Sequence, residues 1–195
     1  MSDPQTLKVY AEKARDYEAL APNYPYPAMA AFVARLPAGA RVLDYGCGPG
    51  LDAGYMASQG MTVDALDASP EMVALAATRP GVTATLGDFD ALSAEALYDA
   101  IWASFSLLHA PRDAMPRHLA AIARALKPGG LLGLTLKEGS GEARDRLGRF
   151  YTYYTETELR PLLDAAGLSV MDVARGSSSG LDGSAANWIS VTAHA

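Results

Sequence analysis

The chain has 195 residues, half of them hydrophobic and 19% charged, with a formal net charge of −6. That length suits one domain with a sizeable core, and an acidic balance without any Lys or Arg run argues against nucleic acid, whose phosphates require a basic face. Cys47 is the single cysteine, which excludes an internal disulfide and a cysteine-based metal site, and with no stretch near ~20 apolar residues and no apolar signal core behind Met1 a cytoplasmic address away from membranes is expected.

Taken in chain order, residues 5–20 read as an amphipathic helix, with Tyr10, Ala14 and Tyr17 on one face at i, i+4 and i+7. The three prolines within residues 21–27 cannot continue it. A second helix is expected over 28–36. Val42 and Leu43 end a buried strand, Gly46, Gly48 and Gly50 form a turn, and 51–58 resume as a helix. Residues 61–66 form the next strand, ending at Asp67. Ser69 then serves as N-cap with Pro70 at the first helical position, and this helix stops before Arg79. A third strand over 82–86 runs into Gly87-Asp88-Phe89-Asp90. A fourth covers 98–105, with Asp99 at its start and Ser104 and Phe105 near its carboxyl end. After the loop 106–111, residues 112–126 read as a helix with Leu119, Ile122 and Leu126 inward, broken by Lys127-Pro128-Gly129-Gly130. A fifth strand spans 131–136. Residues 139–150 read as a loop or short helix. Thr155 and Glu158 form a capping box for a helix ending at Gly167. Two last strands, 168–173 and 187–193, flank a glycine- and serine-rich loop over 176–184.

Strand, glycine turn and helix make half of a βαβ unit, in which a ligand approaches bare backbone near a helix N-terminus. Asp67 follows Gly46 by 67 − 46 = 21 residues. A carboxylate about 20 residues past such a turn sits at the tip of the neighbouring strand and accepts from ribose hydroxyls, so the ligand contains a nucleoside. A dinucleotide fingerprint is G-x-G-x-x-G/A. Here the third glycine comes one residue early, and Asp44 would repel a pyrophosphate but favour a cation. S-adenosylmethionine, with its ammonium, sulfonium and ribose, suits these charges better than NAD.

An acidic residue followed by G-x-G-x-G resembles the first motif of the class I S-adenosylmethionine-dependent methyltransferases. The later series of fourth strand, helix, Pro-Gly-Gly and fifth strand extends the resemblance over roughly residues 40–138. It implies an α/β fold: a single Rossmann-like domain over 1–195, with a seven-stranded sheet of order 3-2-1-4-5-7-6 and an antiparallel last strand. Residues 1–38 would be a helical cap and 39–195 the core. The resemblance assigns the cofactor to Tyr17, Asp44, Gly46, Gly48, Asp67 and Ala68, with Asp88 on the adenine amino group, Phe89 lining the adenine pocket and Ser104 contacting through backbone. Asp90 is left as a solvated loop carboxylate.

Methyl transfer from a sulfonium asks for positioning and removal of the acceptor's proton, without a metal. His109, on the loop after the fourth strand, is the candidate base or positioning donor; the alternative is a structural histidine bonded to backbone. His118 is expected on a solvated helix face, and His194 has no role. Lys137, Arg149 and Tyr153, with Glu138, are assigned to the pocket rim. Singly they read as solvated rim groups, and together they point to a small polar or anionic substrate. The wording around His109, Lys137-Glu138-Gly139 and Gly148-Arg149-Phe150-Tyr151 resembles small bacterial methyltransferases grouped with tellurite-resistance proteins. No Asn-Pro-Pro-Tyr follows the fourth strand, where Ala103-Ser104-Phe105-Ser106 stands, and no Pro-Cys nucleophile is present. The expected partner is a small-molecule substrate, with no nucleic acid and no membrane, for a monomer or homodimer. An NAD-linked oxidoreductase and a non-catalytic nucleoside-binding or regulatory module remain as alternatives.

Overall fold

Strand β1 (Arg41–Tyr45) is the axis of the sheet, with four of its five residues buried. Successive side chains leave a strand on opposite faces, so Val42 joins one core and Leu43 the other. The computed structural model describes residues 3–19 and 25–195. β1 lies parallel to β2 (Thr62–Asp67) on one side and β4 (Tyr98–Ser104) on the other. β3 (Val82–Leu86) and β5 (Leu126–Lys137) extend the parallel set outward. β9 (Ala185–His194) runs antiparallel between β5 and β8 (Ser169–Ser179). The order is therefore β3-β2-β1-β4-β5-β9-β8. It matches the expected order once the separate ribbon of β6 (Glu142–Arg144) and β7 (Phe150–Thr152) is counted.

A parallel sheet needs both faces covered. Helices α3 (Pro27–Val33), α4 (Leu51–Ser58) and α5 (Pro70–Ala76) bring Phe32, Met56 and Ala76 to one face, where Trp102 fills the centre. Helices α6 (Met115–Ala125) and α7 (Glu156–Ala165) bring Leu119, Ile122, Leu159 and Leu163 to the other. The helix starts follow their sequence signals. Ser69 caps α5, accepting from the Met72 N–H at 3.4 Å, and Thr155 with Glu158 forms the capping box of α7.

Four segments depart from the sequence reading. The first helix is two, α1 (Pro4–Glu12) and α2 (Ala14–Glu18), separated at Lys13; its expected end at Leu20 and most of the proline-rich break fall on residues 20–24, outside the described residues. The Lys127–Gly130 breaker does end α6, but the chain passes at once into β5, where Leu126 pairs with Tyr98 before the register shifts to Leu131 and Ala100. Residues 139–150 are not a plain loop, because 142–144 pair with 150–152. The glycine- and serine-rich stretch is mostly strand, so β8 and β9 form a long hairpin turning over 180–184. Gly176 belongs in β8 because the Trp188 ring lies over it, and a Cβ there would overlap that ring. His118 is also corrected. It lies 2% exposed on the inward stripe of α6, with Met115, Leu119 and Ile122.

Candidate active site

The carboxyl ends of β1, β2 and β4 open into one cavity of about 560 Å³, closed over by α1, α2, β7 and the β8–β9 hairpin. Gly46 turns the chain off β1 with φ +82, and a Cβ there would overlap Ser106. The Ser106 hydroxyl donates to the Tyr45 carbonyl at 2.6 Å, and the Gly46 and Cys47 N–H groups donate to the Leu66 carbonyl. This arrangement joins the turn to the tip of β2. Asp67 completes it: one carboxylate oxygen accepts from Gly48 N–H and the other from Ser69 N–H, both at 2.8 Å. Burial raises its pKa, opposed by the backbone N–H groups of Ser69, Gly48 and Ala68. Each oxygen keeps a lone pair for a further donor.

Asp44 sits deeper, 2% exposed. One of its oxygens has no hydrogen-bond partner among the described residues. Burial lifts its pKa well above the carboxylate range, and the nearby charge of Asp52 adds to the shift. Asp52, in the first turn of α4, accepts from Trp102 Nε1 at 2.6 Å and from the Tyr26 hydroxyl at 2.9 Å. The Tyr26 hydroxyl also lies 3.1 Å from Ser104 Oγ. Two carboxylates facing one buried space favour a cation between them. At the end of β3, Asp88 accepts from the Asp90 N–H at 3.0 Å. The Phe89 ring then packs between Tyr45 and His118, with centroids at 5.1 and 5.6 Å. Asp90 lies 2.8 Å from Arg117 at the surface.

The other half of the cavity is aromatic and basic. The Phe150 carbonyl can only accept, so His109 Nδ1 carries the proton of their 2.6 Å bond, and Nε2 accepts the Tyr10 hydroxyl at 2.8 Å. Burial lowers the His109 pKa to about 4, which keeps the ring neutral. Arg149 donates to Tyr10 Oη at 3.1 Å and is held by Asp145, with Nε and Nη2 at 2.9 and 2.6 Å from one oxygen. The Lys137 ammonium stands 3.7 Å from the centroid of the Tyr151 ring.

The structure brings most of the assigned residues to this one space. Asp44, Gly46, Gly48, Asp67 and Ala68 line it along the turn and β2. Asp88, Phe89 and Ser104 line it from the ends of β3 and β4, and Tyr17 from α2. His109, Lys137 and Arg149 line the opposite half. Lys137 and Arg149 are not solvated rim charges, being 8% and 2% exposed. Tyr153 is not in the cavity. It lies beyond the end of β7 against Gly139, and Tyr151 takes the inward place. Glu138 also points away, into an ion pair with Arg175 at 2.9 Å. Sequence reasoning missed Tyr26, Asp52 and the hairpin residues 177–181. Asp52 carried a signal, as the acid in the first turn after the glycines, while nothing local marked Tyr26. Tyr10, read on the same helix face as Tyr17, reaches the cavity as well.

Residues 42–130 match the family model described as a methyltransferase domain. A malonyl-[acyl-carrier protein] O-methyltransferase of Enterobacter lignolyticus is 37% identical over 109 residues, covering 54% of this chain and 43% of the relative. A ubiquinone biosynthesis O-methyltransferase of Xanthomonas oryzae pv. oryzae is 39% identical over 105 residues, 50% of this chain and 43% of the relative. The match thus spans less than half the length of these curated relatives. Among solved structures, the Burkholderia thailandensis 1,6-didemethyltoxoflavin-N1-methyltransferase, with bound 1,6-didemethyltoxoflavin and S-adenosylhomocysteine, superposes with a TM-score of 0.80 at 28% identity, over 97% of this chain and 87% of that one. A TehB-like methyltransferase of Corynebacterium glutamicum shares the fold, with a TM-score of 0.72 at 23% identity over 98% of both chains.

Proposed function

From the class I S-adenosylmethionine-dependent methyltransferase domain that this chain carries, we propose that the protein transfers the methyl group of S-adenosylmethionine to a small-molecule acceptor. The observation that carries the reading is the Asp67 carboxylate fixed on the Gly48 N–H, which puts the acidic strand tip and the glycine turn in one binding surface. The residues present fit the donor molecule. The unpartnered buried oxygen of Asp44 matches an ammonium. Asp67 has lone pairs left for two ribose hydroxyls, Asp88 would accept from the adenine amino group, and Phe89 offers its ring to the base. Tyr17, whose ring would lie 3.7 Å from a Cβ on Gly48, covers the turn from above.

When bound, S-adenosylmethionine would supply a methyl group activated for in-line displacement. The chain's own part is to orient the acceptor and exclude water. His109 acts here as a positioning group rather than a base, since Tyr10 occupies its only lone pair. The chain is read as one domain, a cap over 1–38 on a core over 39–195. A direct test incubates the purified chain with methyl-labelled donor and a cell extract, then separates small molecules from protein and nucleic acid. Label in the small-molecule fraction, lost in Asp67→Ala, is expected. Label confined to protein or RNA would contradict the reading.

A further inference from the structure

The acceptor half of the cavity holds one buried ammonium with no close ion-pair partner among the described residues. Lys137 stands at the end of β5, 8% exposed, and lines the cavity. Its ammonium has the Tyr151 ring face at 3.7 Å, and no carboxylate among the described residues is in ion-pair contact with it. The other cation beside it, Arg149, is already neutralised by Asp145 at 2.6 Å. Asp182 on the hairpin turn attracts Lys137 only at longer range, its carboxylate being hydrogen-bonded by the Ser184 hydroxyl and N–H at 2.7 and 3.1 Å. One ring face returns only part of what desolvating an ammonium costs, so the arrangement is completed by an anion.

The surroundings say which kind. Tyr10, Tyr151 and Trp188 wall this end, so the anion has an apolar or unsaturated body. At this end His109 is not a free base, because its Nε2 already accepts from Tyr10. We infer that Lys137 seats the charge of an organic acid that enters already ionised, and that this ionised atom is the methyl acceptor. Its lone pair forms the new bond to the methyl carbon while the carbon–sulfur bond breaks and leaves its electron pair on sulfur. The negative charge of the acid and the positive charge of the sulfonium cancel, and no proton is removed within the site. The second half of this inference rests on the methyl-transfer reading; the anion subsite does not.

The test is calorimetric titration of the full chain with benzoate and with its neutral isostere benzamide, with and without S-adenosylhomocysteine. Benzoate is expected to bind at least tenfold more tightly than benzamide. Lys137→Met should erase that preference and Lys137→Arg should restore part of it. No benzoate binding, equal binding of the two ligands, or a preference that survives in Lys137→Met overturns the inference. Inorganic phosphate binding more tightly than benzoate overturns the organic class. The two wild-type titrations decide even if the methionine variant does not fold. Failure to bind S-adenosylhomocysteine with the benzoate preference intact would remove the cofactor reading and leave the anion subsite standing.

Discussion

Replacing Asp67 by alanine removes a side chain that joins the glycine turn to the end of β2. Its two oxygens each accept one backbone N–H, from Gly48 and Ser69, at 2.8 Å. A carboxylate has room for about four donors, so two acceptor positions remain for ribose hydroxyls. Hydrogen bonds to a charged group contribute about 1.5–3 kcal/mol, which corresponds to S-adenosylhomocysteine binding weakened by about 10- to 150-fold. Asp67→Asn keeps the volume and one acceptor but turns an amide N–H₂ toward a backbone donor. Its loss is expected to fall between wild type and alanine. Calorimetric titration measures the affinities, and a circular dichroism melt checks that each variant is folded. A folded Asp67→Ala protein that binds S-adenosylhomocysteine within twofold of wild type would refute the reasoning, because the carboxylate could then not be gripping the sugar.

Three further outcomes follow from the geometry. Burial gives His109 a pKa of about 4 against an ordinary 6.5. The unfolded chain therefore takes up a proton that the native state refuses, and stability complete above about pH 6.5 is lost as pH falls toward 4, by about 3 kcal/mol in all; melting profiles should be flatter for His109→Gln, and parallel profiles would contradict this. Asp44 has a raised pKa, so its contribution is favourable below the unfolded value of about 3.9 and is lost as pH rises toward the native one. At neutral pH the ligand-free protein carries that cost, and Asp44→Asn should raise the melting temperature by a few degrees, at about 2–4 °C per kcal/mol, while weakening S-adenosylmethionine binding; a lowered melting temperature would count against it. Gly46→Ala combines a left-handed backbone with overlap on Ser106 and should cost about 2–5 kcal/mol in urea denaturation. Adding Ser106→Gly should recover the overlap part only, and strict additivity would show that the two residues do not meet.

The parts of the molecule that depend on neighbours in sequence were legible in it. α4 spans Leu51–Ser58 as expected, since Gly50, at φ 75, ends the turn and starts the helix in one step. Ser69-Pro70 and Thr155-Glu158 likewise announced their helices. Asp67 was legible because the length of a βα unit sets the distance between the turn and the next strand tip. What was hidden depended on contacts across the sheet. Residues 176–179 have turn-like composition, yet Trp188 covers Gly176 and β9 supplies the hydrogen-bond partners, so the hairpin is longer than its sequence suggests. Tyr151 and Tyr153 cannot be told apart until the end of β7 is known. His118 was readable and misread: its spacing from Met115 and Ile122 puts it on the inward stripe, and polarity alone argued otherwise.

The central claim is that this cavity was built for a nucleoside bearing a cationic amino-acid tail. Titrating the full chain with S-adenosylhomocysteine and with NAD, side by side, tests it most directly. Saturable one-to-one binding of S-adenosylhomocysteine is expected, with at least a hundredfold weaker binding of NAD, whose pyrophosphate would meet Asp44. NAD binding as tightly as S-adenosylhomocysteine, or more tightly, would contradict it.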